Sequence, residues 1–305
     1  MKRISLFLIL GFWVVSFCGY SQDDLMKLLE QEQPKTTNYT SATFKGTRII
    51  NGHSVETLKP KHMDFLIMHR FGPLNDIDNF FGLDIATIRL GFEFGLTDRL
   101  MVGLGRTSVQ KAVDVFGKYQ LLRQSSGAVN MPVSVAVFGS AVAKTQRESV
   151  EISFQNRLTY CTQLLIARKF NENLSLQLTP TFLYRNLPEA RGDSRPLLAV
   201  GVGGRYKLTK RVSVNAEYFW TARDANATLT DRFGSLIRYN NALAIGIDLE
   251  TGGHVFQMHF TNANGMNEKQ FIGETSGAWG DGSIRYGFNI SRTFSFDKRA
   301  RELYK

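Results

Sequence analysis

From about residue 63 onward, apolar and polar side chains alternate with period two in one stretch after another, and that pattern restricts the fold more than anything else in the chain. In the clearest stretch Ala86, Ile88, Leu90, Phe92, Phe94 and Leu96 share one face, and Thr87, Arg89, Gly91, Glu93 and Gly95 share the other. Neighbouring side chains of a strand point to opposite sides, so one face wants hydrocarbon and the other wants water. The pattern returns in Leu174, Leu176, Leu178, Phe182 and Tyr184, and in Val212, Val214, Ala216, Tyr218 and Trp220. It returns again in Leu243, Ile245, Ile247 and Leu249, and in Ile284, Tyr286, Phe288, Ile290, Phe294 and Phe296.

The breaks between strands are of two lengths. Short polar turns fall at Thr97-Asp98-Arg99, Asn171-Glu172-Asn173, Thr209-Lys210-Arg211 and Thr251-Gly252-Gly253. The first three share one form, an apolar residue, the turn, then Leu or Val restarting the alternation, which marks serial hairpins. Longer connections rich in Asn, Asp, Gly, Arg and Pro lie near 72–83, 187–196, 223–238 and 263–282, with further breaks near 107–111, 124–131 and 145–150. The count predicts about twelve antiparallel strands, an even number with both barrel ends on the short-turn side, as in an outer-membrane β-barrel. Leu164-Leu165-Ile166 breaks the alternation, and a bulge or strand extension is expected there. Aromatic residues add two girdles: Phe182, Tyr184, Tyr218, Trp220 and Tyr286 toward the long loops, and Phe94, Phe170, Tyr206, Phe294 and Phe296 toward the short turns.

Other classes fall away. The only long apolar run, Leu6 to Cys18, is too short and too solitary for a polytopic helical protein, in which each span needs about 20 apolar residues. Two cysteines, Cys18 and Cys161, make neither a disulfide framework nor a four-ligand zinc site. Residues 1–21 read as a secretory signal, with Lys2 and Arg3 before the apolar run and Gly19-Tyr20-Ser21 as the cleavage site. Phe17 before Cys18 argues against lipidation. Losing Lys2 and Arg3 lowers the formal charge only from +10 to +8, and the remaining basic residues are scattered singly, so nucleic acid is not an expected partner.

The domain reading is a signal at 1–21, an extension at 22–62, a barrel at 63–296 and a tail at 297–305. In the extension, Asn51-Gly52 between short β-branched runs predicts a hairpin, and the segment is read as periplasmic or as a plug in the lumen.

Several blocks resemble a known family: TFKGTRIINGHSVETL from Thr43, NFFGLDIATIRLGFEFGLTDRLMVGLGR from Asn79, ETGGHVFQMHFTNANGM from Glu250 and the stretch from Trp279 to Phe296, with shorter ones at His69, Lys118 and Gln163. The family is one of outer-membrane β-barrel proteins of the Bacteroidota, a domain of unknown function. The likeness spans roughly residues 43–296. It implies an outer-membrane barrel and carries over no catalytic residues.

Strand parity assigns the lumen-facing candidates Arg89, Glu93, Asp114, Lys118, Arg157, Arg185, Arg205, Glu217, Asp248, His259 and Arg285, joined by Asp64, Arg70, Glu151, Lys207 and Glu250. The two signs nearly balance, which fits an internal salt-bridge network or a weakly selective path for small solutes. No catalytic residue is assigned and no cofactor or metal is expected, since the five histidines have no ligand spacing. His259-Phe260-Thr261 puts a base and a hydroxyl on one strand face, the spacing a barrel hydrolase uses, but any His-x-Thr strand does so and no orienting acid is identifiable. The Gly201-Val202-Gly203-Gly204 run lies inside a strand and precedes no helix, so it relieves crowding and cradles no phosphate. The expected object is an outer-membrane barrel that is a small channel or transporter, with a structural or assembly role and a membrane-embedded hydrolase as alternatives. Its expected partners are outer-membrane lipid and the barrel-insertion machinery.

Overall fold

The computed structural model describes residues 36–224, 228–231 and 233–297. The expected signal, the first part of the extension and most of the tail lie outside the described residues.

The strands in chain order are β1 (Thr37–Tyr39), β2 (His62–Pro73), β3 (Ala86–Gly95), β4 (Leu100–Thr107), β5 (Val113–Leu122), β6 (Ser125–Gly127) and β7 (Ser134–Ala143). They continue with β8 (Leu158–Lys169), β9 (Leu174–Arg185), β10 (Pro196–Lys207), β11 (Val212–Thr221), β12 (Ala242–Thr251), β13 (His254–Thr261) and β14 (Arg285–Ser295). Among the described residues one α-helix, α1, spans Glu268–Gly273. β1 and β6 pair as a separate two-stranded ribbon. The other twelve strands form a closed antiparallel barrel in which each pairs with its neighbour in the chain and β14 closes on β2.

The three similar turns close by the same chemistry. Thr97 Oγ1 accepts from Arg99 N and Leu100 N at 3.2 and 2.9 Å, and Thr209 Oγ1 accepts from Arg211 N and Val212 N at 3.2 and 3.0 Å. Asn171 Oδ1 does the same for Asn173 N and Leu174 N at 2.9 and 2.8 Å. A side-chain oxygen mimics the backbone acceptor of a tight turn, which is why Thr and Asn open these hairpins.

Alternation in the sequence becomes inside and outside. Ile88, Leu90, Phe92, Leu176, Leu178, Tyr218, Trp220, Ile245 and Ile247 are exposed, while Arg89, Glu93, Lys118, Glu217, Asp248 and Asn289 are buried. A soluble barrel would show the reverse, and this one covers itself with hydrocarbon and keeps its charges within. The expected bulge at Leu164–Ile166 is absent: Gln163↔Thr181 and Ile166↔Leu178 belong to one continuous register. The alternation breaks there because Leu165 is an inward-facing apolar residue, fully buried against Ala136 and Phe138. Register shifts occur instead between Gln120 and Leu122 and between Arg285 and Gly287.

Candidate functional site

The barrel interior is occupied from both ends. From the short-turn end, the segment before β2 runs into the lumen, and Thr43, Phe44, Thr47 to Asn51, His53, Ser54 and Val55 are all buried. It doubles back as a hairpin, Ile49 N donating to Gly52 O at 2.9 Å and Ser54 N to Thr47 O at 2.9 Å. The corner falls at Ile50-Asn51, one residue earlier than the Asn-Gly signal suggested. Gly52 is needed for a different reason: a Cβ on it would stand 2.9 Å from the Phe219 ring.

The wall supplies the partners that the hairpin lacks. Three successive amides at the tip point at one carboxylate: Ile50 N and Gly52 N donate to Glu217 Oε2 at 3.2 and 3.1 Å, and Asn51 N donates to Oε1 at 2.7 Å. Ile49 O accepts from Gln257 Nε2 at 2.8 Å, and Ile50 O accepts from Asn289 Nδ2 at 2.9 Å. The Gln177 amide stands in for a strand, donating to His53 O and accepting from Val55 N, both at 2.8 Å. Lys118 Nζ bridges the two arms through Ser54 O at 2.9 Å and Thr47 O at 3.3 Å, and Arg205 holds the entry through Ala42 O at 2.9 Å. Lys45 pairs with Glu250 at the mouth. On the opposite side Phe44, Ile49 and Val55 pack on Met101, Phe116, Phe138 and Leu165. Burying each such side chain contributes roughly 1.5–3 kcal/mol.

From the long-loop end, the connection after β13 turns inward as α1. Asn267 caps it, its side chain accepting from Gln270 N at 3.1 Å. Phe271 and Ile272 pack against Leu183, Leu197, Phe219 and Ala242. Lys269 Nζ reaches Glu274 at 2.9 Å, Glu189 at 3.0 Å and Gln110 at 2.6 Å. Burial alone would lower the Lys269 pKa, but the two carboxylates outweigh it and hold the ammonium above its ordinary value.

The two insertions touch. Glu268 Oε1 of α1 lies 4.0 Å from Arg48 Nη1 and 3.7 Å from His53 Nε2 of the hairpin. Arg48 also lies 3.7 Å from Glu93, and Arg89 is hydrogen-bonded through two nitrogens to Asp114, Nε to Oδ1 at 3.0 Å. Burial, reinforced by Arg48, Lys118 and Arg89, holds the His53 imidazole well below its ordinary value, and burial raises the Glu268 carboxyl. His53 therefore sits neutral, packed on Phe138 and Phe116 with ring centroids 4.3 and 4.6 Å away.

Arg89, Glu93, Asp114, Lys118, Arg205, Glu217 and Asp248 all lie buried in the lumen wall, the last accepting from Gln257 at 2.9 Å. Arg185 is also buried, but it ends β9 and ties down the next loop through Asp193 Oδ2 at 2.6 Å. Arg157 is misplaced by the sequence reading. The loop runs to Arg157 and β8 begins only at Leu158, so its guanidinium braces the rim through Ile152 O and Gln146 O at 3.0 and 3.1 Å. Glu151 is exposed in the same loop, so one charge of each sign leaves the lumen. Arg285 is the first residue of β14 and stands half-buried at the outer mouth, not in mid-lumen. His259 fills the space above two glycines, where a Cβ on Gly287 would lie 2.7 Å from its Nε2 and one on Gly246 2.7 Å from its Cβ. Sequence reasoning missed Glu268 and Lys269. Their signal was the Asn267-x-x-Gln270 cap ahead of Phe271-Ile272.

A closed antiparallel barrel, apolar outside and polar within, filled by its own N-terminal hairpin and by a loop helix, defines a membrane-spanning β-barrel with an internal plug. The chain belongs to the membrane bound beta barrel domain family (DUF5777), which it matches over residues 44–294. The match begins inside the hairpin, so the plug is part of the family's domain. No curated protein matches the chain. Among solved structures it is similar to the KdgM porin, with a TM-score of 0.46 and 10% identity over 76% of this chain and 99% of that one. It is also similar to an outer membrane channel from Pseudomonas putida, with a TM-score of 0.47 and 12% identity over 79% and 98%. For the outer membrane protein Omp33 of Acinetobacter baumannii the values are 0.42 and 9% over 77% and 98%.

Proposed function

We propose that this chain is a channel for small solutes in the outer membrane of a Gram-negative bacterium of the Bacteroidota, exported by its N-terminal signal and shut in the conformation described here. The observation that carries the reading is the way the hairpin is held. Its tip and arms are bound through Glu217, Gln177, Gln257, Asn289 and Lys118, polar wall groups that water can serve equally well once the hairpin leaves. A barrel meant only as a pillar gains more from an apolar filling, because a buried ionic network is often no better than well-packed hydrocarbon. Wall charges of both signs suit neutral or weakly charged solutes. The reading assigns no catalytic role: His259 is a space-filling side chain, and Thr261 accepts from Ala263 N at 3.1 Å and from Asn51 at 3.4 Å.

The test is conductance in planar bilayers of the full chain, of a deletion of residues 22–58, of a shortened 266–275 loop and of both changes together. Each removes one closure, and the double change should conduct most. If the doubly changed barrel remains folded and heat-modifiable yet conducts no more than the full chain, the channel reading fails and a structural role in the envelope replaces it.

A further inference from the structure

One inward charge has no counterpart. Arg70, Arg89, Arg157, Arg185, Arg205 and Arg223 each commit their guanidinium to a carboxylate, an amide or a backbone carbonyl of the lumen or its rim. Arg285, at the start of β14, does not. Its Nε and Nη1 are buried with no hydrogen-bond partner, and its side chain makes no ion pair among the described residues. A buried cation without an acceptor is costly, and buried polar groups are as a rule satisfied, so this guanidinium is placed to meet a group from outside the chain.

Arg285 lines a cavity of about 380 Å³ at the long-loop end, a volume within the range of roughly 300–1,000 Å³ that encloses small organic ligands. Gln270 of α1 and Glu274 at its C-cap form part of the lining, with Val109, Ile237 and Tyr239 as its apolar part. The frame is fixed. Asn240 N donates to Thr275 O at 2.7 Å and Asn240 Nδ2 to Ser276 O at 2.9 Å, tying the connection before β12 to the chain after α1, and Arg223 stacks over the Tyr239 ring at 4.5 Å.

The shortage at Arg285 is not one of acids. Glu189 and Glu274 line the same cavity, but Lys269 holds them at 3.0 and 2.9 Å, Lys144 takes Glu189 again at 2.7 Å, and Gln110 Nε2 donates to Glu274 at 2.8 Å. Gln270 is engaged as well, donating to Val109 O at 3.0 Å and accepting from Met266 N at 3.3 Å. Of the charged groups in the lining, Arg285 alone is left without a protein partner.

We infer that this cavity binds the carboxylate of a small organic solute through the Arg285 guanidinium, with the short aliphatic body of the solute against Val109, Ile237 and Tyr239. The planar fork of an arginine matches the two oxygens of a carboxylate. Glu189 and Glu274 disfavour a second negative charge in the same space, so the class is the monocarboxylates, ahead of dicarboxylates and phosphate. The cavity borders α1, which fills the lumen from this end, so its part in solute entry rests on the channel reading, whereas binding itself does not.

Equilibrium binding of butyrate to the purified protein in detergent micelles, followed by saturation-transfer NMR, tests the site, with butyramide, succinate and inorganic phosphate as comparators. Butyrate should bind saturably, and butyramide, of the same shape without the charge, should bind about tenfold more weakly. Arg285→Gln, which breaks no protein contact of that side chain, should reduce butyrate to the level of butyramide, and Arg285→Lys, which keeps the charge and loses the fork, should fall between. Unchanged butyrate binding in Arg285→Gln overturns the proposal, as do butyramide bound as tightly as butyrate, succinate or phosphate bound more tightly, and the absence of saturable butyrate binding. Should Arg285→Gln lose heat-modifiable mobility, Arg285→Lys and the ligand series on the unaltered protein decide. Conductance of the barrel lacking both closures speaks to the channel reading alone: butyrate bound by a barrel that does not conduct keeps the site and ends only its role in solute entry.

Discussion

At the scale of single residues, the hairpin is held by side chains that act as substitutes for backbone. Glu217 is the clearest, since it satisfies three consecutive amides. Glu217→Ala leaves those amides buried without acceptors at a cost of about 1–3 kcal/mol for each unsatisfied group. The expected outcome is a hairpin cut by added trypsin at Lys45 or Arg48 and a higher conductance, with the barrel's heat-modifiable mobility unchanged. His53 makes docking pH-dependent. Its docked pKa lies well below the ordinary value, whereas a released imidazole titrates near 6.5. Only the released state takes up a proton as pH falls, so docking is strongest above about pH 6.5 and weakens below it, by at most about 1.4 kcal/mol per pH unit. Glu268 runs the other way: burial raises its carboxyl, so insertion of α1 is favoured at low pH and weakens as pH rises past about 4.3. Conductance measured against pH should rise on the acid side, and His53→Phe, which keeps a ring against Phe116 and Phe138 but takes no proton, should flatten that rise. Strand parity alone identified most of these wall charges, because Arg89, Glu93, Lys118 and Glu217 occupy alternate positions in well-patterned strands. Arg157 escaped because a loop boundary, which parity does not fix, lies next to it.

At the scale of elements, what was legible depended on how local the cause is. The turns at Thr97, Asn171 and Thr209 could be read directly, since each is closed by a side chain bonding two and three residues ahead. The hairpin was legible as a non-membrane segment with polar residues on both faces, but Glu217, Gln177, Gln257 and Asn289, which hold its tip and arm, lie more than a hundred residues away, and no period in its own sequence encodes them. α1 is the extreme case. Six residues form no stable helix alone, and this one exists because Phe271 and Ile272 have somewhere to pack. Phe271→Ala should remove about 3–5 kcal/mol of that packing and, with little else holding α1, expel it. Protease cleavage after Lys269, a site fully buried in the intact barrel, measures the change.

At the scale of the whole molecule, the exposed band defines what the surroundings must be. Strands of ten residues at the usual rise and tilt span roughly 25 Å of hydrocarbon. Ile245 is exposed on that band and Ala244 beside it is fully buried, so Ile245→Arg should cost about 2–4 kcal/mol near the bilayer midplane while Ala244→Ser is mild. The same alternation, combined with the filled lumen, sets a pattern of chemical access that neither feature gives alone. Cysteines introduced at Ile88, Leu90 and Phe92 face the membrane and should react with lipid-phase maleimides. Those at Arg89 and Glu93 face inward, yet Thr47 hydrogen-bonds Glu93, Arg48 lies beside it, and Arg89 is fully buried. In the full chain a water-soluble maleimide should therefore leave both unmodified, and in the deletion of residues 22–58 it should label both while the membrane-facing set stays unchanged. Aqueous labelling at 89 and 93 in the intact protein would mean that the hairpin does not stay in the lumen. Aqueous labelling of all five positions would mean that the apolar band does not lie in a membrane.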